Sequence, residues 1–419
     1  MMRGLVLILV LSGVAAALAA VASRVPAEVR NAEPDQHATD PSLAATFTDA
    51  QVERHGAYRR GAYAAYGAAL FLEVAVLLIL ARGPLRSVLA RAAELPGGWV
   101  SKAVLAALTV ALVTWLAQLP LAYVRGYVVQ QAWGLSTQTA AGWFGDSIRS
   151  LLVALVISLV GGLTFFALVR WQPTAWWLWG WAGFTVLTAL LFFLYPVLIA
   201  PLFNRFTPLA DQELAKDIRT LASAADVQVD EVLVADASRR STVENAYVAG
   251  LGATKQIVLY DTLLEAGSAA ETRYVVAHEL GHEVEGHVLK NLLLSSLGLF
   301  VGFALLRVLV TRTDLLAWAG AGDLSDPRGL PLLILFATLA GLVLMPAQNA
   351  VSRSFETRAD EIALELTDDP ETAIRVHRRL AFSNLADLDP PRLAVFLLYS
   401  HPPVRDRVEA AVAEKRSSP

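Results

Sequence analysis

The stretch HELGHEVEGHVLKNLLLSSLGLFVGFALLRVLVT, residues 278–311, contains the signals for two different kinds of helix. It opens with two histidines four positions apart and a glutamate directly after the first. From residue 291 it continues as an apolar run of the length that a helix needs to cross a bilayer core, about 20 residues. The stretch therefore predicts a helix with chemically active side chains at the edge of a membrane.

The whole chain has the composition of an integral membrane protein. Of its 419 residues, 55% are hydrophobic and only 17% are charged, and the mean hydropathy is +0.50. An average soluble protein carries about 25% charged residues. The net charge of −4 offers no basic surface for phosphates, which argues against nucleic acid as a partner. The chain has no cysteine, so a metal site must be built from histidine, aspartate and glutamate.

Apolar runs of membrane-spanning length recur along the chain, with tryptophans where an interfacial belt is expected. The first run follows Arg3 and ends in Ala20–Ala22, which is also the pattern of a cleavable signal peptide, and this alternative stays open. Seven spans are predicted, near residues 4–22, 61–81, 103–124, 150–169, 175–200, 291–311 and 331–349.

Two stretches are too polar for lipid and are expected to hold the chemistry. The predicted organisation is a membrane region of five spans, a catalytic segment, two further spans and a C-terminal catalytic segment with the third metal ligand, over residues 1–200, 201–290, 291–349 and 350–419. The segment 24–60 is predicted to be an extramembrane loop without a recognisable site.

The first polar stretch has the pattern of a small mixed α and β unit. Pro208 and Asp211 are expected to open an amphipathic helix through about Ser223, and a second helix is expected from about Glu271. Three short strands are predicted between them, Glu231–Ala235, Asn245–Ala249 and Gln256–Tyr260.

His278, Glu279 and His282 have the spacing of a metal-dependent hydrolase helix. Residues four apart lie about 40° apart around a helix, so both imidazoles can bind one metal. Glu279 lies about 100° round, where it can reach a water without occupying the metal. Zinc lowers the pKa of a bound water to about 7, and a neighbouring carboxylate can then take its proton. The motif predicts hydrolysis of a polarised carbonyl, with Glu279 as general base.

A catalytic zinc needs a third protein ligand and an open position. His287 is near in sequence, but on a continuing helix it would be rotated about 140° from His282 and would point away. The better candidate is Glu356, directly after the last span, with Asp360 one turn on to accept the N–H of a ligating imidazole. The predicted fold is mainly α, a polytopic membrane protein of about seven transmembrane helices with a zincin-like catalytic domain containing a small β-sheet.

Several blocks outside this motif, in order, resemble those of the type I CAAX prenyl proteases, a family of integral-membrane zinc metallopeptidases. The blocks are Ala200–Pro208, Asp236–Ser241, Asn245–Gly252, Ile257–Leu264 and Ser400–Arg407. The resemblance covers about half the chain well and agrees with seven spans.

The resemblance implies a role for each residue that matches the family's motifs. One zinc ion per chain would be bound by His278, His282 and Glu356, with Glu279 as general base and Asp360 orienting a ligand.

It further implies that Asn245 and Ala246 lie on the edge strand that pairs with substrate backbone. His401 and Arg407 match groups that steady the oxyanion and the site around it.

The chain departs from the family directly after the second metal histidine. Glu283–Gly286 stand where the family commonly has tryptophan and a basic residue, which puts the carried-over substrate preference in doubt. Glu73, an intramembrane carboxylate, is expected to face a water-filled chamber that the family's helices enclose.

The resemblance implies an outside N-terminus and a cytoplasmic catalytic part. The distribution of Lys and Arg agrees weakly, and a cleaved signal peptide would reverse the orientation. Arginine far outnumbers lysine, which hints at a GC-rich bacterial genome. The predicted location is a bacterial plasma membrane, with the active site facing the cytoplasm.

The sequence thus predicts a membrane zinc endopeptidase that acts on membrane or membrane-delivered polypeptides, and the resemblance adds the cleavage of prenylated CAAX termini as an inherited capability. Two alternatives remain open. One is a general quality-control protease of membrane proteins, which needs the same site. The other is a non-enzymatic transporter or scaffold with structural zinc, although structural zinc is normally closed by four protein ligands.

Overall fold

The computed structural model describes residues 2–31, 46–84, 86–94, 96–250, 255–312 and 314–417. The last two residues of the block Asn245–Gly252 therefore lie outside the described residues.

Helices dominate the described part of the chain. They are α1 Met2–Ala22, α2 Ala27–Arg30, α3 Asp49–Ala81, α4 Arg86–Glu94, α5 Trp99–Tyr123, α6 Val129–Ala132, α7 Ala140–Trp171, α8 Trp176–Leu194, α9 Gln212–Ala224, α10 Asp261–Ala266, α11 Ala269–Val284, α12 His287–Arg312, α13 Leu315–Trp318, α14 Leu330–Thr367, α15 Pro370–Ser383, α16 Arg392–Leu398 and α17 Val404–Ser417. The strands are β1 Phe206–Pro208, β2 Glu231–Ala235, β3 Ala246–Ala249 and β4 Gln256–Tyr260.

Seven of these helices, some with short continuations, are long and apolar enough to cross a membrane. They are α1, α3, α5, α7, α8, α12 and α14, and each predicted span falls on one of them. The prediction of seven membrane spans is therefore confirmed.

Helix α1 packs within the membrane part of the fold. Ile8, Ala15 and Ala19 are buried in its core, and the Ser12 hydroxyl donates to the carbonyl of Ala117 on α5 at 2.7 Å. Its outer face is made of exposed leucines and valines, as expected of a helix that meets lipid.

Helix α3 begins well before its apolar run. Thr48 and Gln51 form a reciprocal cap, in which each side chain accepts from the other's backbone N–H. The prediction of a loop over residues 24–60 is therefore wrong for residues 27–30 and 49–60, which are helical, and residues 32–45 lie outside the described residues. His55 and Arg59 on these early turns donate to backbone carbonyls in the C-terminal part of the chain.

Helix α14 runs without a break from the last membrane span into the C-terminal catalytic segment. It continues through Pro346 and ends where Asp368 adopts a left-handed backbone with φ of 48°. The predicted boundary at 349–350 falls in the middle of this helix, and the predicted domain limits stay predictions. The side chain at position 356 is thereby fixed rigidly to a membrane span.

A four-stranded sheet in the order β1-β2-β4-β3 shares a hydrophobic core with α9 and α11. Strands β2 and β4 are parallel, with Glu231 opposite Gln256, and β1 and β3 pair antiparallel at either side. The three predicted strands are present, although β3 begins at Ala246 rather than at Asn245.

Strand β1 has no counterpart among the predicted strands. Pro208 ends this strand instead of opening a helix, because its missing N–H is tolerated at a sheet edge. The helix begins after Asp211, whose carboxylate accepts from the backbone N–H of Glu213 and Leu214 at 3.0 Å.

A cavity of about 980 Å³ lies among the membrane helices. Its walls are mostly apolar, and Glu73 lines it. The hydroxyl of Thr338 donates to Oε1 of Glu73 at 3.1 Å. The carboxylate therefore faces an interior space rather than lipid, as membrane energetics require.

The sheet, α9, α11, α15, α17 and the end of α14 share one hydrophobic core. Within it α11 and α14 approach closely at Gly281. A Cβ added at Gly281 would lie 3.0 Å from the Cα and carbonyl oxygen of Ala359. Glycine permits this approach without strain, whereas a Cβ would require the backbone of α14 to shift by a few tenths of an ångström.

We expect Gly281→Ala to separate α11 from α14 and to destabilise the protein by about 1–3 kcal/mol. The midpoint of thermal unfolding in detergent measures this effect. Gly302→Ala on α12 is the matched control, because a Cβ there meets nothing within 4 Å. Equal unfolding midpoints for the two variants would contradict the role given to the contact.

Candidate metal centre

Helix α11 supplies two of the predicted metal ligands. Ser268 and Glu271 fix its start with a capping box, in which each side chain accepts from the other's backbone N–H. One turn apart farther along, His278 and His282 bring their Nε2 atoms within 3.2 Å of each other. Both imidazoles therefore face one point.

Helix α14 brings the third predicted ligand to the same point. Oε2 of Glu356 lies 3.2 Å from Nε2 of His278, and Oε1 lies 3.5 Å from Nε2 of His282. One ligand atom from each of the three residues lies within 4.8 Å of the others. Oε2 of Glu356 is buried without a hydrogen-bond partner among the described residues. Two imidazoles and a carboxylate with such an atom match the donor set of a catalytic zinc site.

The two histidines differ in protonation: without a bound cation, His282 is neutral near pH 7, whereas His278 carries a proton that a metal ion would have to displace. Burial and, to a lesser extent, the positive charge of the nearby His278 lower the pKa of His282 to about 4. Its imidazole is therefore neutral near pH 7. Burial also acts to lower the pKa of His278, but its contacts with Asp360 and Glu356 outweigh burial and raise it to about 9. These two carboxylates would equally favour a divalent cation between the imidazoles.

Asp360 lies behind the first imidazole. Its Oδ1 is 2.8 Å from Nδ1 of His278, and both its oxygens accept from Arg407, from Nε at 2.7 Å and from Nη2 at 2.6 Å. The side chains of Asp360 and Arg407 are only 10% and 18% exposed. Arg407 therefore neutralises the buried carboxylate that contacts His278, and it does so in the bidentate geometry specific to arginine.

Two further residues, which the sequence analysis missed, close the far side of Asp360. Nε2 of His377 lies 3.9 Å from Oδ1 of Asp360, and the Tyr274 hydroxyl is 3.1 Å from the same nitrogen. Burial and the charge of Arg407 lower the pKa of His377 to about 3, so it is neutral. No sequence pattern pointed to these residues, because their contacts join α11 to α15 across about a hundred positions.

Glu279 lies between the two histidines in sequence and lines the cavity beside them. Burial raises the pKa of its carboxyl to about 7. A carboxyl with a pKa near neutral is matched to proton transfer in both directions at cellular pH.

His401 lies at the open side of the cluster. Its Nε2 is 3.4 Å from Oε1 of Glu356, and its side chain is 59% exposed. Arg353 on α14 donates to the carbonyl of Tyr399 at 2.6 Å, which ties the segment before His401 to the helix that carries Glu356. His401 is therefore held near the metal cluster with its ring accessible.

Asn245 and Ala246 stand at the start of β3, the last strand of the sheet order. The carbonyl of Asn245 accepts from Tyr260 N at 3.0 Å, and Ala246 pairs with Leu259 on the inner side. Among the described strands, none pairs with the outer edge of β3. A cavity of about 430 Å³ joins Asn245 to Glu279 and His401.

His287 is placed differently from the prediction. Helix α11 ends at Val284, Gly286 adopts φ of 61°, and a new helix begins at His287. The imidazole therefore returns toward the site, with its Nδ1 2.9 Å from Nδ1 of His282 and its ring stacked on Phe355. The prediction that His287 points away from the site was wrong, because it assumed that the helix continues past Val284. His287 contacts a ligand instead of belonging to the set of three ligand atoms.

Comparisons with known proteins agree with this geometry across nearly the whole chain. The profile of Peptidase family M48 matches residues 208–415, and the profile "CAAX prenyl protease N-terminal, five membrane helices" matches residues 28–205. The two profiles meet near the predicted end of the N-terminal membrane region.

Curated relatives and a solved structure show the same similarity. The chain is 36% identical over 311 residues to "Uncharacterized metalloprotease YhfN" of Bacillus subtilis, covering 73% of this chain and 72% of the relative. It is 33% identical over 323 residues to "CAAX prenyl protease 1" of Saccharomyces cerevisiae, covering 72% and 71%. The crystal structure of S. mikatae Ste24p superposes with a TM-score of 0.78 at 25% identity, covering 96% of this chain and 98% of that one.

Fold, site and similarity together define an integral-membrane metallopeptidase. The chain belongs to Peptidase family M48 and is similar to the CAAX prenyl proteases of that family, which confirms the resemblance seen in the sequence.

We expect Arg407→Gln to leave the buried Asp360 carboxylate poorly paired and to cost about 3 kcal/mol of stability. Thermal unfolding of the purified protein in detergent gives the comparison. Arg405→Gln is the control, because this neighbouring arginine is exposed. The assignment is contradicted if Arg405→Gln lowers the unfolding midpoint as much as Arg407→Gln does.

Proposed function

We propose that the protein is a zinc endopeptidase of membrane-associated polypeptides, with its reaction centred on His278, His282, Glu356 and Glu279. One observation carries the proposal: three ligand atoms converge within 4.8 Å, in a site whose cavity also contains Glu279 and the start of an open edge strand. That combination provides a metal site, a proton acceptor and a surface for an extended peptide at one place.

Zinc is the proposed metal because the donor set contains two imidazoles and one carboxylate without a cysteine. His278, His282 and Glu356 would hold the ion, and Asp360 would fix the ring of His278. When bound, zinc polarises the scissile carbonyl and acidifies a water molecule in the cleft.

Glu279 then moves the proton that hydrolysis requires. Its carboxylate accepts a proton from the water as the water oxygen bonds to the carbonyl carbon. It delivers that proton to the departing peptide nitrogen as the carbon–nitrogen bond breaks. The products are a carboxylic acid and an amine, the acid then gives its remaining proton to the amine or to solvent, and Glu279 is restored as a carboxylate. Its pKa of about 7 suits both transfers.

His401 and β3 serve the substrate rather than the metal. We assign His401 as the donor to the developing oxyanion, because its accessible ring lies beside Glu356 at the open side of the cluster. We assign Asn245 and Ala246 to the binding of substrate backbone, since the outer edge of β3 can add a peptide as a further strand. Recognition through main-chain groups does not demand a particular sequence.

The proposed substrates are prenylated or otherwise membrane-delivered polypeptides. Two observations support this class: the similarity to proteins named CAAX prenyl proteases, and a site joined to membrane helices. A general quality-control role would use the same chemistry and differs only in its tolerance of substrates. The scaffold alternative is set aside, because the family is one of metallopeptidases.

The proposal includes a cytoplasmic active site in a bacterial plasma membrane. It is supported by the slight excess of Lys and Arg on the side of the catalytic segments and by the strong preference for arginine over lysine. The similarity to a relative from Bacillus subtilis agrees with a bacterial source.

Glu279→Gln should reduce peptide cleavage by about a hundredfold to ten-thousandfold, because the proton acceptor is lost. The zinc content should stay near one ion per chain, measured by elemental analysis of the purified protein. Glu361→Gln is the control, since this exposed glutamate lies on α14 near Glu356 but faces Arg358. Cleavage that survives Glu279→Gln would refute the assignment of the base.

Substrate class is tested by a farnesylated C-terminal CAAX peptide and its unprenylated twin, presented to the zinc-loaded protein. We expect the farnesylated peptide to be cleaved with the larger kcat/KM, and both reactions to stop in Glu279→Gln. Equal cleavage of the two peptides would replace prenyl-protein processing by general membrane proteolysis.

A further inference from the structure

Helix α3 carries three polar side chains at intervals of four residues, His55, Arg59 and Tyr63. This spacing places them along one face of the helix. The three residues lie at the start of a membrane-spanning helix and are not metal ligands. Each of them nevertheless contacts the C-terminal part of the chain next to the active-site cavity.

The first two side chains hold a single turn through its backbone. Nδ1 of His55 donates to the carbonyl of Ala386 at 2.6 Å. Nε of Arg59 donates to the carbonyl of Leu385 at 2.7 Å, and its Nη2 donates to the carbonyl of Asn384 at 3.3 Å. Three consecutive carbonyls are thus bound from α3.

The backbone of this turn contains a strained conformation. Leu385 adopts φ of 46°, in the left-handed region that a branched side chain rarely occupies, and it is 2% exposed. Such a conformation persists only where surrounding contacts fix it. The donors from α3 supply those contacts.

This turn also fixes the start of the proposed peptide-binding strand. Oδ1 of Asn384 accepts from the backbone N–H of Glu244 at 3.3 Å, and its Nδ2 donates to the carbonyl of Glu244 at 3.4 Å. Glu244 directly precedes Asn245. Arg59 is therefore connected to Asn245 through two successive hydrogen-bonded contacts.

The third side chain leads to His401 instead. The hydroxyl of Tyr63 donates to Oδ2 of Asp387 at 3.1 Å and lies 2.6 Å from the hydroxyl of Tyr399. Tyr399 stands two residues before His401, and all three of Asp387, Tyr399 and His401 line the active-site cavity. Tyr63 therefore fixes the segment from which His401 reaches the metal cluster.

We propose that Arg59 and Tyr63, supported by His55, are positioning residues that set the two sides of the peptide cleft around the metal centre. Arg59 sets the start of β3, and Tyr63 sets His401. The inference rests on the roles given above to Asn245 and His401. It makes a transmembrane helix part of the geometry of hydrolysis without contributing a ligand or a base.

The two branches have different kinetic signatures. Moving the peptide-binding strand weakens binding of the substrate in the ground state, so Arg59→Gln should raise KM. Moving the oxyanion donor affects the transition state alone, so Tyr63→Phe should lower kcat. If His55, Arg59 and Tyr63 only stabilised the fold, both variants would have a smaller active fraction and an unchanged KM.

Helix α3 itself provides matched controls. Tyr66→Phe removes a hydroxyl whose recorded contact is the sulfur of Met345 at 3.6 Å. Arg60→Gln removes a guanidinium that is 62% exposed and pairs with Glu53 at 2.8 Å. Both changes repeat the test substitution on the same helix, away from the turn at 384–387.

The experiment uses the full chain in detergent with zinc and a quenched fluorescent peptide. We expect Tyr63→Phe to lower kcat about tenfold with KM within twofold, and Arg59→Gln to raise KM about fivefold to tenfold. Tyr399→Phe should reproduce Tyr63→Phe, and the double variant should be no worse than either. Zinc content should stay at the wild-type value throughout.

A second readout does not depend on turnover. In the Glu279→Gln background, Arg59→Gln should weaken binding of the same peptide by the factor seen in KM, whereas Tyr63→Phe should leave binding unchanged. Arg59→Lys, which retains a donor, should restore part of the affinity. This arm also covers the case in which one variant folds poorly, because affinity is measured on the folded fraction.

The inference is overturned if the two test variants behave like Tyr66→Phe and Arg60→Gln, or if both lose activity with unchanged KM and unchanged peptide affinity. Failure of the proposed function has a different signature, in which the wild-type protein cleaves no peptide. If that protein still binds peptide and Arg59→Gln weakens the binding, the strand branch stands without the hydrolytic role.

Discussion

The approach of α11 to α14 at Gly281 is the contact on which the metal centre depends. Each helix alone presents an incomplete site, since α11 carries two imidazoles and α14 carries the carboxylate. The backbone of Ala359 lies close enough that even a methyl group at position 281 would meet it at 3.0 Å. Interiors are packed too tightly to absorb such a change elsewhere. The ligand atoms converge because these two backbones do.

Two carboxylates are buried where the helices meet, and their negative charges require compensation. Glu356 and Asp360 are both buried, one turn apart on the same helix. Arg407 binds both oxygens of Asp360, which leaves Glu356 as the carboxylate available to a cation. The arrangement gives one carboxylate a permanent partner and leaves the other open for a metal ion. Burial, in turn, raises the pKa of Glu279 beside them to about 7.

Residues that act through local spacing could be predicted, and residues that act through distant contacts could not. The two histidines of α11 lie one helical turn apart, and the spans follow from apolar runs, so both were readable. Strand β1 is three residues long and ends in a proline, so it lacks the alternating pattern from which a strand is predicted. The return of His287 toward His282 depends on the helix break at Gly286. The role of His55, Arg59 and Tyr63 on α3 depends on contacts with a turn more than three hundred positions away, which the local sequence does not reveal.

The continuity of α14 has a mechanical consequence. At 1.5 Å per residue, the helix from Leu330 to Glu356 is about 39 Å long, so a tilt of about 3° would displace its far end by about 2 Å. Transmembrane helices adjust their tilt when bilayer thickness changes. A displacement of 2 Å is comparable to the length of a zinc–ligand bond. A change in bilayer thickness that altered the tilt of α14 would therefore act directly on the helix that carries Glu356.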